Sequence, residues 1–220
     1  MEINQLDLFQ LAKRRFISQS ELSFEEEILY ELQISRGSFL KQNGIEEKYC
    51  FFWGPKSCFS QWFPSRFVGE SIIWDKKNFL HGLLPENIEF TSAEQYMMYH
   101  KAILFLDRES ALKTLRSNTP KKQREIGRKV QNFDQNTWNF YRSAIVYWGN
   151  EKKFTQSFEL RKQLFSTSGT TLAEASPYDR LWGIGEKKDS PNATNRLTWA
   201  GKNLLGELLT ALRVRLMGHY

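Results

Sequence analysis

At Thr91 the sequence changes from short aromatic and β-branched runs to long segments with helical spacing, and this change constrains the fold most. Before it, "YCFFWG", "SIIWD" and "NIEF" are each bounded by Gly, Pro, Asp or Asn and read as short strands of a small sheet. After it, apolar spacing predicts helices over about 92–106, 109–117, 121–131, 135–148, 155–165 and 202–216. Between the last two, a possible short strand leads into a stretch rich in Gly, Pro, Ser and Asn. So long an irregular stretch inside a compact domain is more often functional than structural. The expected fold class is α+β: a helix-rich single domain with a small β-sheet and an N-terminal helical extension.

Charge divides the chain near the same place. Residues 1–48 hold 6 Lys/Arg against 9 Asp/Glu, a balance of −3, and residues 49–220 hold 25 against 16, a balance of +9. The expected domains are therefore an extension over 1–48 and a main domain over 49–220. In the extension, "SFEEEILYELQISRG" predicts a helix capped by Ser23 with Glu26 at the reciprocal position. Ile28, Leu29 and Leu32 give that helix an apolar stripe for docking on the main domain.

Several chemistries lack their residues. Cys50 and Cys58 have no C-x-x-C spacing, and His81, His100 and His219 have no metal-ligand spacing. The expectation is no metal, no cofactor and a reducing compartment. The start, "MEINQLDLFQ", lacks a signal-peptide pattern, and no apolar run is long enough to span a bilayer. These features predict a soluble, cytoplasmic protein with no membrane partner, and a monomer. There is no P-loop, no G-x-S-x-G elbow and no zinc-deaminase signature.

Three segments can carry chemistry. In "SAEQYMMYHK", Glu94 and Lys101 are seven residues apart, so they share a helix face about 10 Å apart along the axis. Glu94 can equally be a capping-box carboxylate, and Lys101 a solvent-reaching lysine. "EASPYDRLWGIG" places Asp179, Trp182, Gly183 and Gly185 within one short stretch. The glycines allow close backbone approach, Asp179 can be a turn former, and Trp182 a core anchor. In "NFDQNTWNFYR", Trp138 and Arg142 share a helix face and can hold a ring and a phosphate, or be a buried Trp with a surface Arg. Asn203 is a polar entry residue to the last helix. The basic run "PKKQREIGRK" can touch phosphates or be a solvated face.

Together these segments resemble the NADAR, or YbiA-like, family over about residues 50–217. The matching pieces, in family order, are "CFSQWFPSRF", "FTSAEQYMMYHKAILFLD", "IGRKVQNFDQNTWNFYR", "KFTQSFELRKQLFSTSGTTLAEASPYDRLWGIG" and "WAGKNLLGELLTALR". The first has Gln61 and Trp62 where relatives often have Asn and Phe or Leu. The resemblance implies cleavage of an N-glycosidic bond between ribose and an amine nitrogen. Some family members break down phosphorylated early riboflavin intermediates. Others remove ADP-ribose from guanine in nucleic acid, certain of them as antitoxins to a DNA ADP-ribosyltransferase.

The family's active-site positions fall on Glu94, Lys101, Trp138, Asp179 and Trp182. Glu94, Lys101 and Asp179 are the expected catalytic residues. Ser60, Trp62, Phe63, Trp138, Arg142, Trp182, Gly183, Gly185 and Asn203 are the expected substrate-binding set. The first reading is removal of ADP-ribose from guanine in DNA or RNA, with a toxin ADP-ribosyltransferase as a partner of such an antitoxin. The alternatives are hydrolysis of a phosphorylated riboflavin intermediate, and a non-catalytic ADP-ribose or NAD binder. For cleavage, Lys101 can form a Schiff base with the opened sugar, or a carboxylate can direct water at an oxocarbenium-like centre.

Overall fold

A computed structural model describes residues 46–72, 83–85 and 87–218, and among these described residues it has two pairs of short strands and six α-helices. The expected N-terminal helix and most of "SIIWD" lie outside the described residues. The strands are β1 (Tyr49–Phe52), β2 (Phe67–Gly69), β3 (Ile88–Phe90) and β4 (Thr171–Glu174). The helices are α1 (Ala93–Leu104), α2 (Arg108–Leu115), α3 (Pro120–Gly127), α4 (Gln135–Thr155), α5 (Phe158–Ser166) and α6 (Leu204–Met217). The fold class is α+β. Its contacts group into two units, residues 54–161 and residues 46–53 with 162–218.

In the first unit, β2 and β3 pair antiparallel, with Phe67 opposite Phe90 and Gly69 opposite Ile88. Both strands alternate buried, exposed, buried, so one face packs inward. The Phe67 and Phe90 rings stack at 5.8 Å between centres. Gln156, just past α4, completes the edge of β2: its Oε1 accepts from the Val68 N–H at 2.8 Å, and its Nε2 donates to the Val68 carbonyl at 2.7 Å. Helix α1 lies against α2, α3 and α4. His100 on α1 is fully buried, donates from Nδ1 to the Tyr96 carbonyl at 2.9 Å, and accepts at Nε2 from the Ile72 N–H at 3.3 Å. Burial holds it neutral, with its pKa lowered to about 4.

Helix α4 corrects the sequence reading, which ended it at 148. Gly149 and Asn150 resemble a helix stop, yet both sit inside the helix. A Cβ at Gly149 would come within 2.6 Å of the Tyr96 ring, so the glycine provides close approach between α4 and α1. Asn150 is buried and returns its Nδ2 to the Val146 carbonyl at 2.8 Å.

In the second unit, β1 and β4 pair in parallel, with Tyr49 opposite Thr171 and Phe52 opposite Glu174. Helix α6 packs on β4. The irregular stretch after β4 is held by charge as well as packing. Arg196 reaches both Glu47 and Glu207 at 2.6 Å, and Glu47 also accepts from Thr171 and Tyr49. Burial pushes the Glu47 carboxyl up, but Arg196, Thr171 and Tyr49 outweigh it and hold the pKa down at about 2. At Glu207 burial wins over Arg196, and the pKa is raised. Trp199, Tyr49 and Phe51 pack on a small core of Ala173, Ala175, Ile184 and Ala193.

Candidate active site

The start of α1 decides how Glu94 is used. Ser92 is the N-cap, and its hydroxyl accepts from the Gln95 N–H at 3.1 Å. Gln95 therefore holds the third helical position. Its side chain returns to Thr91, accepting from the backbone N–H at 2.8 Å and the hydroxyl at 3.0 Å. The capping-box role thus belongs to Gln95, displaced by one residue, and not to Glu94. Glu94 is 3% exposed, and its own N–H donates to the Gln61 carbonyl at 2.9 Å. That bond fastens the turn of "CFSQWFPSRF" to the first turn of α1.

Lys101 does not reach into solvent. It is half-buried, with Nζ 4.2 Å from the centre of the Phe133 ring and 5.2 Å from that of Trp138. Burial lowers its pKa, the Arg128 charge lowers it further, and Glu94 pulls it back up by less. Phe133 and Trp138 occupy the two positions of a hydrophobic staple, before and after the Asp134 cap of α4. Phe133 was not singled out in the sequence, although the staple spacing was legible there. Arg142, one turn after Trp138, is also buried and donates to Asn139 at 2.6 Å. It is not the surface arginine that the plain reading allowed.

A second lysine was missed altogether. Lys153 is 1% exposed and donates to the Ser60 carbonyl at 2.9 Å. Its Nζ stands 5.1 Å from the Phe154 ring centre and 5.7 Å from that of Phe63. Burial lowers its pKa to about 7 against a small opposing effect of Cys58. The signal was spacing: Trp138, Arg142, Gly149 and Lys153 recur at three to four residues or multiples of that on one helix. Ser60 is buried, and its Oγ accepts from the Trp62 N–H at 3.1 Å. Trp62 and Phe63 are half-buried. The first unit therefore gathers Glu94, Phe133 and Trp138 around the Lys101 amine, and Ser60 and Phe63 around that of Lys153.

The remaining expected residues belong to the second unit. Asp179 forms a turn: its Oδ1 accepts from the Leu181 N–H at 2.9 Å and the Trp182 N–H at 2.8 Å, leaving Oδ2 outside that turn. Trp182 is half-buried rather than a core anchor. Gly183 has no room for a Cβ, which would meet the Glu174 carbonyl at 2.7 Å, and Gly185 has φ +72°. Asn203 is fully buried with φ +55°. Its amide accepts from the Glu174 N–H and donates to the Leu172 carbonyl, both at 2.9 Å, so it ties α6 to β4. No cluster of His, Cys, Asp and Glu among the described residues could hold a metal ion. Among the same residues no helix is long and apolar enough to cross a membrane.

This arrangement has known relatives. The NADAR domain family model matches residues 51–217 and so takes in both units. The chain belongs to the NADAR family. It is 39% identical over 173 residues to N-glycosidase R617 of Acanthamoeba polyphaga mimivirus, covering 76% of this chain and 95% of that one. A shorter match, 34% over 84 residues, reaches the chloroplastic riboflavin biosynthesis protein PYRR of Arabidopsis thaliana, covering 38% of this chain and 12% of that protein. The NMR structure of the E. coli protein YbiA shares the fold with a TM-score of 0.59 at 21% identity, over 80% of this chain and 88% of that one. The likeness to YbiA is one of fold.

Proposed function

We propose that the protein is an N-glycosidase that removes ADP-ribose from guanine in DNA or RNA, with Lys101 and Glu94 at the reacting carbon. The observation that carries this reading is the Lys101 amine, half-buried over Phe133 and Trp138 on the face of a buried acid that the helix cap does not use. The 39% identity to a mimiviral N-glycosidase supports the bond class. The balance of +9 over residues 49–220 favours a polyanionic substrate over a free metabolite.

A ribose joined to an exocyclic amine is a glycosylamine. Protonation of the ring oxygen by Glu94 breaks its bond to C1′ and gives an imine. The neutral Lys101 amine adds to C1′ and the guanine amine leaves with a proton, so the base is freed and the sugar stays on Lys101 as a Schiff base. Water adds to that carbon, Lys101 departs, and ADP-ribose closes its ring. Burial and Arg128 increase the neutral fraction of Lys101 that this sequence needs. Trp138, beside the Lys101 amine, offers a flat face to the base or the ribose.

The match to a riboflavin biosynthesis protein favours a second substrate class, a phosphorylated ribosylaminopyrimidine intermediate. Incubation with ADP-ribosylated DNA and with that pyrimidine in parallel tests the choice. Release of ADP-ribose and unmodified DNA is the expected result. Turnover of the pyrimidine alone contradicts the nucleic-acid reading.

A further inference from the structure

Away from Lys101, helices α2 and α3 and the loop joining them enclose a cleft of about 660 Å³. Lys113, Arg116, Lys122 and Lys129 line it, against one acid, Glu109. Glu109 is already paired with Lys113 at 2.6 Å, and Lys122 with Glu125 at 3.4 Å. Arg116 and Lys129 are exposed and make no ion pair among the described residues. Ser117 also lines the cleft, is 8% exposed, and its hydroxyl has no hydrogen-bond partner among the described residues. An unpaired buried hydroxyl is costly unless a ligand completes it. The first turn of α3 adds its dipole, with Thr119 as cap and Lys122 both on the wall of the cleft.

A hydroxyl donor, a guanidinium, ammonium groups and a helix N-terminus together match the oxygens of a phosphate. The cations also continue along the chain. Lys129 lines the cleft, and its neighbour Arg128 is close enough to Lys101 to lower its pKa. Positive charge thus runs from the cleft toward the amine, which suits an anion that repeats along a line.

We propose that the α2–α3 cleft binds a backbone phosphate of the nucleic-acid strand that carries the modified base. This rests on the nucleic-acid reading given above. The other source of the same chemistry is the phosphate of a small substrate, and the test separates the two.

Fluorescence anisotropy with a short, unmodified, labelled single-stranded DNA reads the cleft without any glycosidic bond. Arg116→Glu with Lys129→Glu should weaken binding about ten-fold or more and reduce the salt slope by roughly 1.4. Ser117→Ala, which keeps every backbone contact, should weaken it about five-fold. Hydrolysis of a modified mononucleoside, which has no flanking phosphate, should keep its wild-type rate in all three changes. DNA affinity that is unchanged in the double variant overturns the proposal. So does a loss confined to turnover of a small phosphorylated substrate, which gives the phosphate to that ligand. DNA bound through the cleft with no substrate cleaved leaves the cleft standing and removes the glycosidase reading instead.

Discussion

Lys153 donates to the carbonyl of Ser60 at 2.9 Å, across 93 residues of sequence, from a position with 1% exposure. Burying a lysine charge disfavours it, and its pKa falls from 10.5 to about 7. Below pH 7 both the folded and unfolded states carry the proton, and the fold bears the full cost of the buried charge. Between about pH 7 and 10.5 the unfolded chain holds the proton and the folded one does not. Stability should therefore rise with pH in that window, by at most roughly 1.4 kcal/mol per unit. Urea midpoints at the two ends of the window measure this. Lys153→Met should flatten the rise, and a wild-type midpoint that does not climb would show that the amine stays charged.

Gln95 and Glu94 are neighbours with opposite expected phenotypes. Gln95 is 1% exposed, and its Nε2 lies 3.1–3.2 Å from the carbonyls of Thr114, Leu115 and Ser117. Gln95→Ala strands buried groups at both ends and should cost roughly 3 kcal/mol, lowering Tm by roughly 6–12 °C. Glu94→Gln should leave Tm within roughly 4 °C of wild type and lower kcat by about 100-fold or more. Calorimetry and turnover on the two variants give the comparison. A destabilised Glu94→Gln with near-normal kcat would make Glu94 structural.

Arg196 holds two carboxylates at once, the buried Glu207 and the half-buried Glu47. Arg196→Met leaves the buried Glu207 without its ion pair and Glu47 with only its Thr171 and Tyr49 hydrogen bonds, and should destabilise by about 3–5 kcal/mol. Adding Glu207→Gln should recover part of that loss, because Glu207 is the more deeply buried acid. Denaturant unfolding of the single and double variants checks the order. An Arg196→Met protein as stable as wild type would mean that packing around Trp199 alone holds the stretch after β4.

Local signals carried most of the fold. Helices α1, α2, α3 and α6 lie within a few residues of their expected spans, because each has a side-chain cap or apolar spacing that acts within one or two turns. Strand β2 was not seen: three residues give too little alternation to stand out, and its edge is completed by Gln156, 88 positions away. The parallel pairing of β1 with β4 is equally non-local. At the site, motif and spacing pointed to Glu94 and Lys101. The choice between cap and acid needed coordinates, because Glu94 and Gln95 are adjacent and only the Ser92 hydroxyl on the Gln95 N–H fixes which of them holds the third helical position. Lys153 was hidden because lysine is rarely buried, and only the continuation of α4 through Gly149 brings it inward.

The proposed mechanism requires the Lys101 amine to bond to the sugar during turnover. Borohydride added during hydrolysis of ADP-ribosylated DNA, followed by peptide mass mapping, measures this directly. A reduced ADP-ribosyl adduct is expected on Lys101 in the wild type, and none in Lys101→Ala, which should still bind ADP-ribose but lose turnover. Normal turnover of the wild type with no trapped adduct, together with an active Lys101→Ala, would contradict it and leave direct attack of water beside Glu94 as the route.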